Sequence, residues 1–138
     1  MLLEKIKKYY IIELNLLGGL SMSAVLETKA GTITYTDEYI ATLAGIAATE
    51  CYGVVGMAAQ KMTDGIVTLL RGENLKRGIK VNTDKSNALT IDLFVIVEYG
   101  ISIGAAAQSM IETVRYHVEK ATGLNVKEVN VNISGVRA

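Results

Sequence analysis

The stretch LTIDLFVIVEY, residues 89–99, constrains the fold of this chain more than any other segment. Every second residue is apolar: Leu89, Ile91, Leu93, Val95 and Val97. Because successive side chains of a strand point to opposite faces, this set forms one fully apolar face. The opposite face mixes polar and apolar residues: Thr90, Asp92, Phe94, Ile96 and Glu98. The pattern predicts a central strand, covered on one side and partly covered on the other.

Two segments with apolar residues at helical spacing predict the helices that cover such a strand. The first follows Thr36, a good helix cap, with Asp37 and Glu38 in the first turn, and ends near Gly53. Its apolar face consists of Ile40, Leu43, Ala44, Ala47 and Cys51. The second begins within residues 100–104 and ends at Gly123. Its apolar stripe consists of Ile103, Ala106, Ala107, Met110, Val114, Val118 and Ala121.

Shorter segments complete the expected order of elements. Alternating or β-branched residues predict further strands at residues 31–35, from 54 onward, at 79–82 and at 126–134. A short helix is expected from Thr63 or Asp64 through Leu70. The fold class is therefore predicted as α+β: a two-layer sandwich whose mostly antiparallel sheet carries two long helices on one face, plus the short helix. The Asn-rich face of the last strand faces solvent or another subunit.

Residues 1–21 are predicted to be an N-terminal extension, and residues 22–138 a single domain. Three interpretations of the extension remain open. In the first interpretation, the native start is Met22, because purine-rich codons for Gly18-Gly19 would resemble a bacterial ribosome-binding site. Alternatively, the segment is an amphipathic helix that contacts a partner or a membrane surface, or it is a signal peptide.

Composition excludes several classes of function. With 14 basic and 14 acidic residues, the chain has no long-range field to attract phosphates, so no nucleic-acid partner is expected. A single cysteine cannot form an internal disulfide, which is typical of a reducing compartment. No segment has the roughly 18 uninterrupted apolar residues of a spanning helix, so no direct membrane span is expected.

The residues that could carry chemistry do not form a recognisable motif. Cys51 and His117 are 66 positions apart, and both are interpreted as structural residues. The glycines of residues 100–104 are explained by a turn rather than by anion binding. We therefore expect no catalytic, cofactor-binding or metal-binding residue. One charged group is a candidate for partner binding, against the alternative of a solvated loop: Arg71, Glu73, Lys76 and Arg77.

Three blocks of the sequence resemble the alkaline shock protein family of Gram-positive bacteria. They are ITYTDEYIATLAGIAATECYGVVGMA, DGIVTLLRGENLKRGIKV and LTIDLFVIVEYGISIGAAAQSMIETVRYHVEKATGLNVKEVNVNISGVR. The likeness extends from Ile33 to Arg137, with the blocks in the family's order and spacing. It implies a cytoplasmic, non-enzymatic protein linked to envelope stress, which associates with itself and is held at the membrane by a partner with its own spanning helices.

The resemblance leads to two hypotheses about function. The first is a scaffold or interaction protein that supports envelope stress homeostasis as a homo-oligomer, assembled through sheet edges or the Ala-rich helix surface. The alternative is a regulatory binding module for a soluble dihydroxyacetone-kinase-like protein, because such a protein is often encoded beside family members. Loss of kinase capture on charge reversal at Arg71 and Arg77 would favour the alternative.

Overall fold

The computed structural model describes residues 24–59, 69–70 and 77–138. Seven strands and two helices lie within these residues. In chain order they are β1 (Ala24–Thr28), β2 (Gly31–Tyr35), α1 (Asp37–Thr49), β3 (Val54–Ala58), β4 (Leu69–Leu70), β5 (Ile79–Thr83), β6 (Leu89–Glu98), α2 (Ile103–Thr122) and β7 (Val126–Arg137). Among the described residues, no helix is long and apolar enough to cross a membrane.

Strand β6 is the centre of the main sheet, as its sequence pattern predicted. The parallel strand β7 follows one side of β6 along its whole length. The other side is shared by two antiparallel strands: β5 pairs with the first half of β6, and β3 pairs with the second half. Strand β4 pairs antiparallel with the far side of β3. The sheet is therefore mostly antiparallel, and the α+β class is confirmed.

The face of β6 that bears Leu89, Leu93 and Val97 is here called the inner face; all three residues are completely buried. The core joins this face to both helices. Helix α1 contributes Ile40 and a row of small residues (Ala41, Ala44, Ala47, Ala48), and α2 contributes four buried residues (Ala106, Met110, Val114, Val118). The helices contact each other, α1 lies against β3, β5 and β6, and α2 lies against β7.

Helix ends follow local sequence signals, with one shift. Thr36 caps α1, and its hydroxyl accepts a hydrogen bond from Tyr39 N at 3.2 Å. Gly123 ends α2 in the left-handed conformation. In contrast, α1 ends at Thr49 rather than near Gly53, and Gly53 takes its positive φ in the turn before β3. The chain needs that extra turn to redirect itself from the helix layer into the sheet.

Strands β1 and β2 form a separate two-stranded antiparallel sheet. Sequence periodicity predicted β2 but missed β1. The hairpin is attached at its base, where Ala24 and Val25 are buried and Val25 N donates to Asn87 Oδ1 at 3.4 Å. In β2 only Tyr35 is half-buried and the other residues are exposed, with Ile33 43% exposed. Strand β1, AVLET, has no regular alternation of apolar and polar residues, so no strand could be predicted from its own pattern.

The prediction of a short helix from Thr63 or Asp64 through Leu70 is wrong at the C-terminal end of that segment. Leu69 and Leu70 form β4, in register with Ala58 and Met57 of β3. The edge of β3 that faces away from β6 offers backbone hydrogen bonds to Leu69 and Leu70, and these override a local helical preference. The beginning of that helix, and the N-terminal extension of residues 1–21, lie outside the described residues.

Two positions of the predicted α2 stripe are also wrong. Ile103 is 41% exposed and Ala121 is exposed, whereas Thr122 is buried. Thr122 Oγ donates to Val118 O at 2.6 Å and accepts from Leu124 N at 3.2 Å. A threonine hydroxyl satisfied in this way is tolerated in the core, because it leaves no unpaired polar group.

Candidate interaction surface

Cys51 lies in the turn after α1, not within the helix. It is half-buried and packs against the core. Its thiol donates to Ala47 O at 3.4 Å. The contact resembles the back-bonding of a small polar side chain to the preceding turn. A thiolate is activated by a basic side chain or a helix N-terminus. The described contacts of Cys51, with the core and with Ala47 O, include neither.

His117 is an exposed residue of α2. Its ring stands edge-on to Tyr116, with 5.5 Å between the ring centroids, and Lys120 Nζ lies 5.5 Å from the same tyrosine ring. These contacts form a small polar surface cluster. The structure therefore does not bring His117 and Cys51 together, because one is on the exposed side of α2 and the other packs on the core.

The acidic first turn of α1 borders a shallow open cavity of about 240 Å³. Asp37, Glu38 and Ile79 are among its lining residues. Burial raises the pKa of Asp37, and its Oδ1 has no hydrogen-bond partner among the described residues. Burial of a carboxylate is unfavourable, but the helix N-terminus offsets part of that cost.

The glycine-containing segment before α2 forms a turn and a helix cap. Gly100 has a positive φ of 86°, and Ser102 is the N-cap residue. Ser102 Oγ accepts from Ala105 N at 3.4 Å, so the segment satisfies one of the helix's own unpaired donors. Gly100 agrees with the interpretation of these glycines as turn residues, whereas Gly104 lies in the first turn of α2.

The described structure does not test the four predicted partner-binding residues as a group. Arg71, Glu73 and Lys76 lie outside the described residues. Arg77 is exposed, and one residue, Gly78, separates it from the start of β5. Their role in partner binding stays a prediction. Within the described ranges, no group of three or more histidine, cysteine or acidic residues could hold a metal ion.

The feature best suited to an interaction is the outer edge of β7. This strand of 12 residues pairs with β6 on one side. Of the other strands that the structure describes, none pairs with its second side. A long unpaired edge presents a row of backbone N–H and C=O groups, which is a template for pairing with another strand. The Ala-rich face of α1 is not comparable, because it is buried in the core.

Hydrogen bonds to β6 determine which residues of β7 direct their backbone outward. Leu89 N donates to Asn125 O at 2.9 Å, so Leu89 and every second residue after it on β6 bond toward β7. In a parallel ladder, the partners of such residues direct their own groups away. By the observed register, these partners are Val129, Val131 and Ile133. Their N–H and C=O groups line the outer edge.

The side chains of β7 separate into two faces. Asn130 and Asn132 are exposed on the face opposite the helices: Asn130 Nδ2 donates to Asp92 Oδ1 at 2.8 Å, and Asn132 Nδ2 donates to Leu93 O at 3.2 Å. On the inner face Val131 and Ile133 are only half-buried. The inner face therefore retains partly uncovered apolar surface along the outer edge of β7.

Sequence reasoning predicted the alternation of β7 but placed its end at residue 134, three residues too early. The register shifts at Ser134, where β7 carries one extra residue relative to β6. Val136 and Arg137 then resume the pairing with Val97 and Glu98. Gly135 was the available signal, because an isolated glycine in a strand pattern often marks a bulge rather than a stop.

Comparison with known proteins identifies similar chains. A model of the alkaline shock protein 23 family, which is described as having a cell envelope-related function, matches residues 25–138. The uncharacterized protein YloU of Bacillus subtilis is 42% identical over 117 residues, covering 84% of this chain and 97% of the relative. The uncharacterized protein Spy1614 of Streptococcus pyogenes serotype M6 is 33% identical over 117 residues, covering 84% and 96%.

A more distant relative carries a functional name. A Streptococcus pyogenes serotype M3 protein named "Stress response regulator gls24 homolog" is 26% identical over 107 residues, covering 78% of this chain and 59% of the relative. No solved structure matches this chain.

Proposed function

Since this chain belongs to the alkaline shock protein 23 family, whose function is related to the cell envelope, we propose that it is a non-enzymatic scaffold that supports the envelope under stress. The resemblance to the alkaline shock protein family is thereby confirmed. The family match over residues 25–138 is the observation that carries the proposal, because it spans all three sequence blocks on which the resemblance was based.

The non-enzymatic part of the proposal is supported by names and by geometry. Neither the family description nor the names of the reported relatives specify a reaction. In the described structure, Cys51 packs on the core and His117 lies on an exposed helix face. Acid–base and nucleophilic catalysis both need side chains that converge on one reacting atom.

The scaffold acts by binding itself and a partner protein. Self-association is supported by the outer edge of β7, which combines half-buried Val131 and Ile133 with backbone groups that pair with no other described strand. The partner is a membrane-anchored protein that holds this cytoplasmic chain at the envelope. A scaffold of this kind needs only complementary surfaces, and an exposed strand edge supplies both hydrogen bonds and apolar contact.

The proposal is tested by deleting the gene in the cells that encode it. Survival is measured after an alkaline shift and after exposure to a cell-wall antibiotic, with heat and oxidative stress as controls outside the envelope class. We expect reduced survival under the two envelope stresses, restored by the wild-type chain. Equal survival of the deletion strain and its parent under both envelope stresses would overturn the proposal.

A further inference from the structure

The outer edge of β7 extends beyond the three residues already described. Arg137 O accepts from Tyr99 N at 2.7 Å, so Arg137 faces β6. The preceding residue, Val136, therefore directs its backbone groups outward. The edge thus has four outward-facing residues, interrupted by the bulge at Ser134: Val129, Val131, Ile133 and Val136.

This edge matches a second copy of itself in one antiparallel register. Place Asn132 opposite Asn132 of the other copy. Val131 then lies opposite Ile133 and, beyond the bulge at Ser134, Val129 lies opposite Val136. All four valine and isoleucine residues direct their backbone outward, so each of these pairs forms hydrogen bonds, and the asparagine pair is the intervening non-hydrogen-bonded type. The ladder therefore extends to both sides of the two-fold axis and is interrupted once on each side by the bulge at Ser134.

The same register matches charges. Glu128 of each copy lies opposite Arg137 of the other, which gives two oppositely charged pairs at the ends of the ladder. Both side chains are exposed in the single chain and lie on the face opposite the helices, because they pair with Thr90 and Glu98 of β6. Moving the axis to Val131 would place Glu128 against the bulge and leave Arg137 with no acidic residue opposite it in the other copy; within its own chain Arg137 already lies beside Glu98. Opposite charges across a strand pair stabilise it, and like charges destabilise it.

The apolar side chains of the inner face also fit the register centred on Asn132. On the inner face, the register pairs Val131 with Ile133 and Val129 with Val136. Val131 and Ile133 are half-buried in the single chain, and Val136 is 49% exposed. A second copy would cover these side chains, and removing apolar surface from water favours association.

We propose that this chain forms a symmetric dimer through the outer edges of β7, antiparallel, with the two-fold axis at Asn132. This inference rests on the proposed function in so far as it assigns a surface and a register to the self-association of the scaffold. The partner that the edge selects is a second copy of this chain, because the charges and the hydrogen-bonding pattern of β7 complement β7 itself.

Cysteine cross-linking tests the position of the axis. In a Cys51→Ala background, Asn132→Cys places two thiols opposite each other, with about 4.5 Å between Cα atoms, within the range of a disulfide. Asn130→Cys is the matched control: it lies on the same strand and face, but its two copies would be about 14 Å apart along the ladder. Under mild oxidation we expect a covalent dimer from Asn132→Cys and none from Asn130→Cys. Equal cross-linking, or none from Asn132→Cys, contradicts the register.

Charge reversal tests the same register without a covalent bond. We expect Glu128→Arg or Arg137→Glu alone to raise the dimer Kd about tenfold in sedimentation equilibrium at low salt. The double variant, Glu128→Arg with Arg137→Glu, restores the opposite pairs and is expected within about threefold of wild type. Because both residues are exposed, far-UV circular dichroism of each variant should match wild type. Single reversals without effect, or a double variant as weak as the singles, would overturn the proposal.

The dimer and the envelope role fail separately. A chain that stays monomeric at high concentration, or assembles with no cross-link at Asn132→Cys, refutes the β7 dimer and leaves the envelope phenotype of the deletion to be judged by itself. A confirmed β7 dimer in a strain whose deletion survives envelope stress normally refutes the envelope function and leaves the dimer intact. Pairing of β7 with a strand of a different protein instead of its own copy also counts against the inference.

Discussion

The two sides of β6 are built in different ways. On one side lies a single parallel strand, β7, which follows β6 along its whole length. On the other side, β3 and β5 each take half of the length and meet end to end, where Gly78 lies directly against Ala58. The first side has one long edge that faces outward. The second has a junction at which two separate parts of the chain must fit, so sequence changes there should affect folding more than binding.

Truncation of Leu93, a β6 residue that pairs with a strand on each side, should lower the free energy of unfolding the most. Leu93 is completely buried and pairs with Ile79 of β5 and Val131 of β7. We expect Leu93→Ala to reduce the free energy of unfolding by about 3–4 kcal/mol, because it leaves a cavity under both sides. Urea denaturation at fixed protein concentration measures the loss. Ile33→Ala, at a position that is 43% exposed and outside the β7 edge, is the control, and a loss below about 1 kcal/mol for Leu93→Ala would contradict the central role of β6.

A methyl group at the junction of β3 and β5 should have the next largest effect. A Cβ at Gly78 would lie 2.7 Å from Ala58 O and 2.8 Å from Met57 Cβ. We expect Gly78→Ala to cost about 2 kcal/mol, because backbone must move to make room. Gly104→Ala is the matched control, since a Cβ there meets nothing within 4 Å. Equal stability of the two variants in urea denaturation would show that the junction is not tightly packed.

The turn between β5 and β6 should respond to pH. The Asp84 carboxylate accepts hydrogen bonds from Ser86 Oγ at 2.7 Å, Ser86 N at 2.8 Å and Ala88 N at 2.9 Å, and these bonds, the Ser86 side chain first, lower the pKa of Asp84. Its contribution is present above the unfolded pKa of about 3.9 and is lost as pH falls through the lower folded pKa.

Asp84→Asn should therefore remove part of the loss of stability on acidification. Because Asp84 is exposed and solvent weakens its interactions, we expect a cost of no more than about 1 kcal/mol near pH 7. Thermal denaturation of wild type and variant between about pH 2 and 7, with Asp92→Asn as a control carboxylate, measures the effect. An Asp84→Asn variant that loses stability as steeply as wild type below about pH 4 would contradict the assignment.

Exposed positions of β7 should be the most tolerant. Asn130 is exposed and makes one side-chain hydrogen bond, to Asp92. We expect Asn130→Thr to change the free energy of unfolding by less than about 0.5 kcal/mol, because threonine suits a strand and the position is solvated. Urea denaturation below the dimer Kd is the measurement. A loss comparable with that of Gly78→Ala would mean that both sides of β6 are equally constrained.

Sequence reasoning succeeded where burial is decided by the chain's own periodicity. The faces of β6, the start of α1 at Thr36 and the end of α2 at Gly123 were predicted from residues within a few positions of each element. Elements that depend on distant partners were missed. Strand β1 is defined by its pairing with β2, and β4 by the edge of β3, so neither has a strong pattern of its own.

The candidate surface was only partly predictable for the same reason. The alternation of Val129, Val131 and Ile133 showed that the last strand has one apolar face. It could not show that this strand lies at the side of the sheet, because strand order depends on which segments pair across the whole chain. Nor could it show that β3 and β5 share one side of β6.

The meeting of Ala58 and Gly78 makes the sheet a natural host for foreign sequence. The main sheet itself holds the two ends of the intervening segment together, so closure of a longer segment adds little entropic cost, about 0.6 kcal/mol for each doubling of length. An epitope or a small reporter domain inserted into the segment that connects Ala58 to Gly78 would begin and end near neighbouring points of the sheet. This position therefore provides a practical site for labelling the protein in living cells without touching the β7 edge.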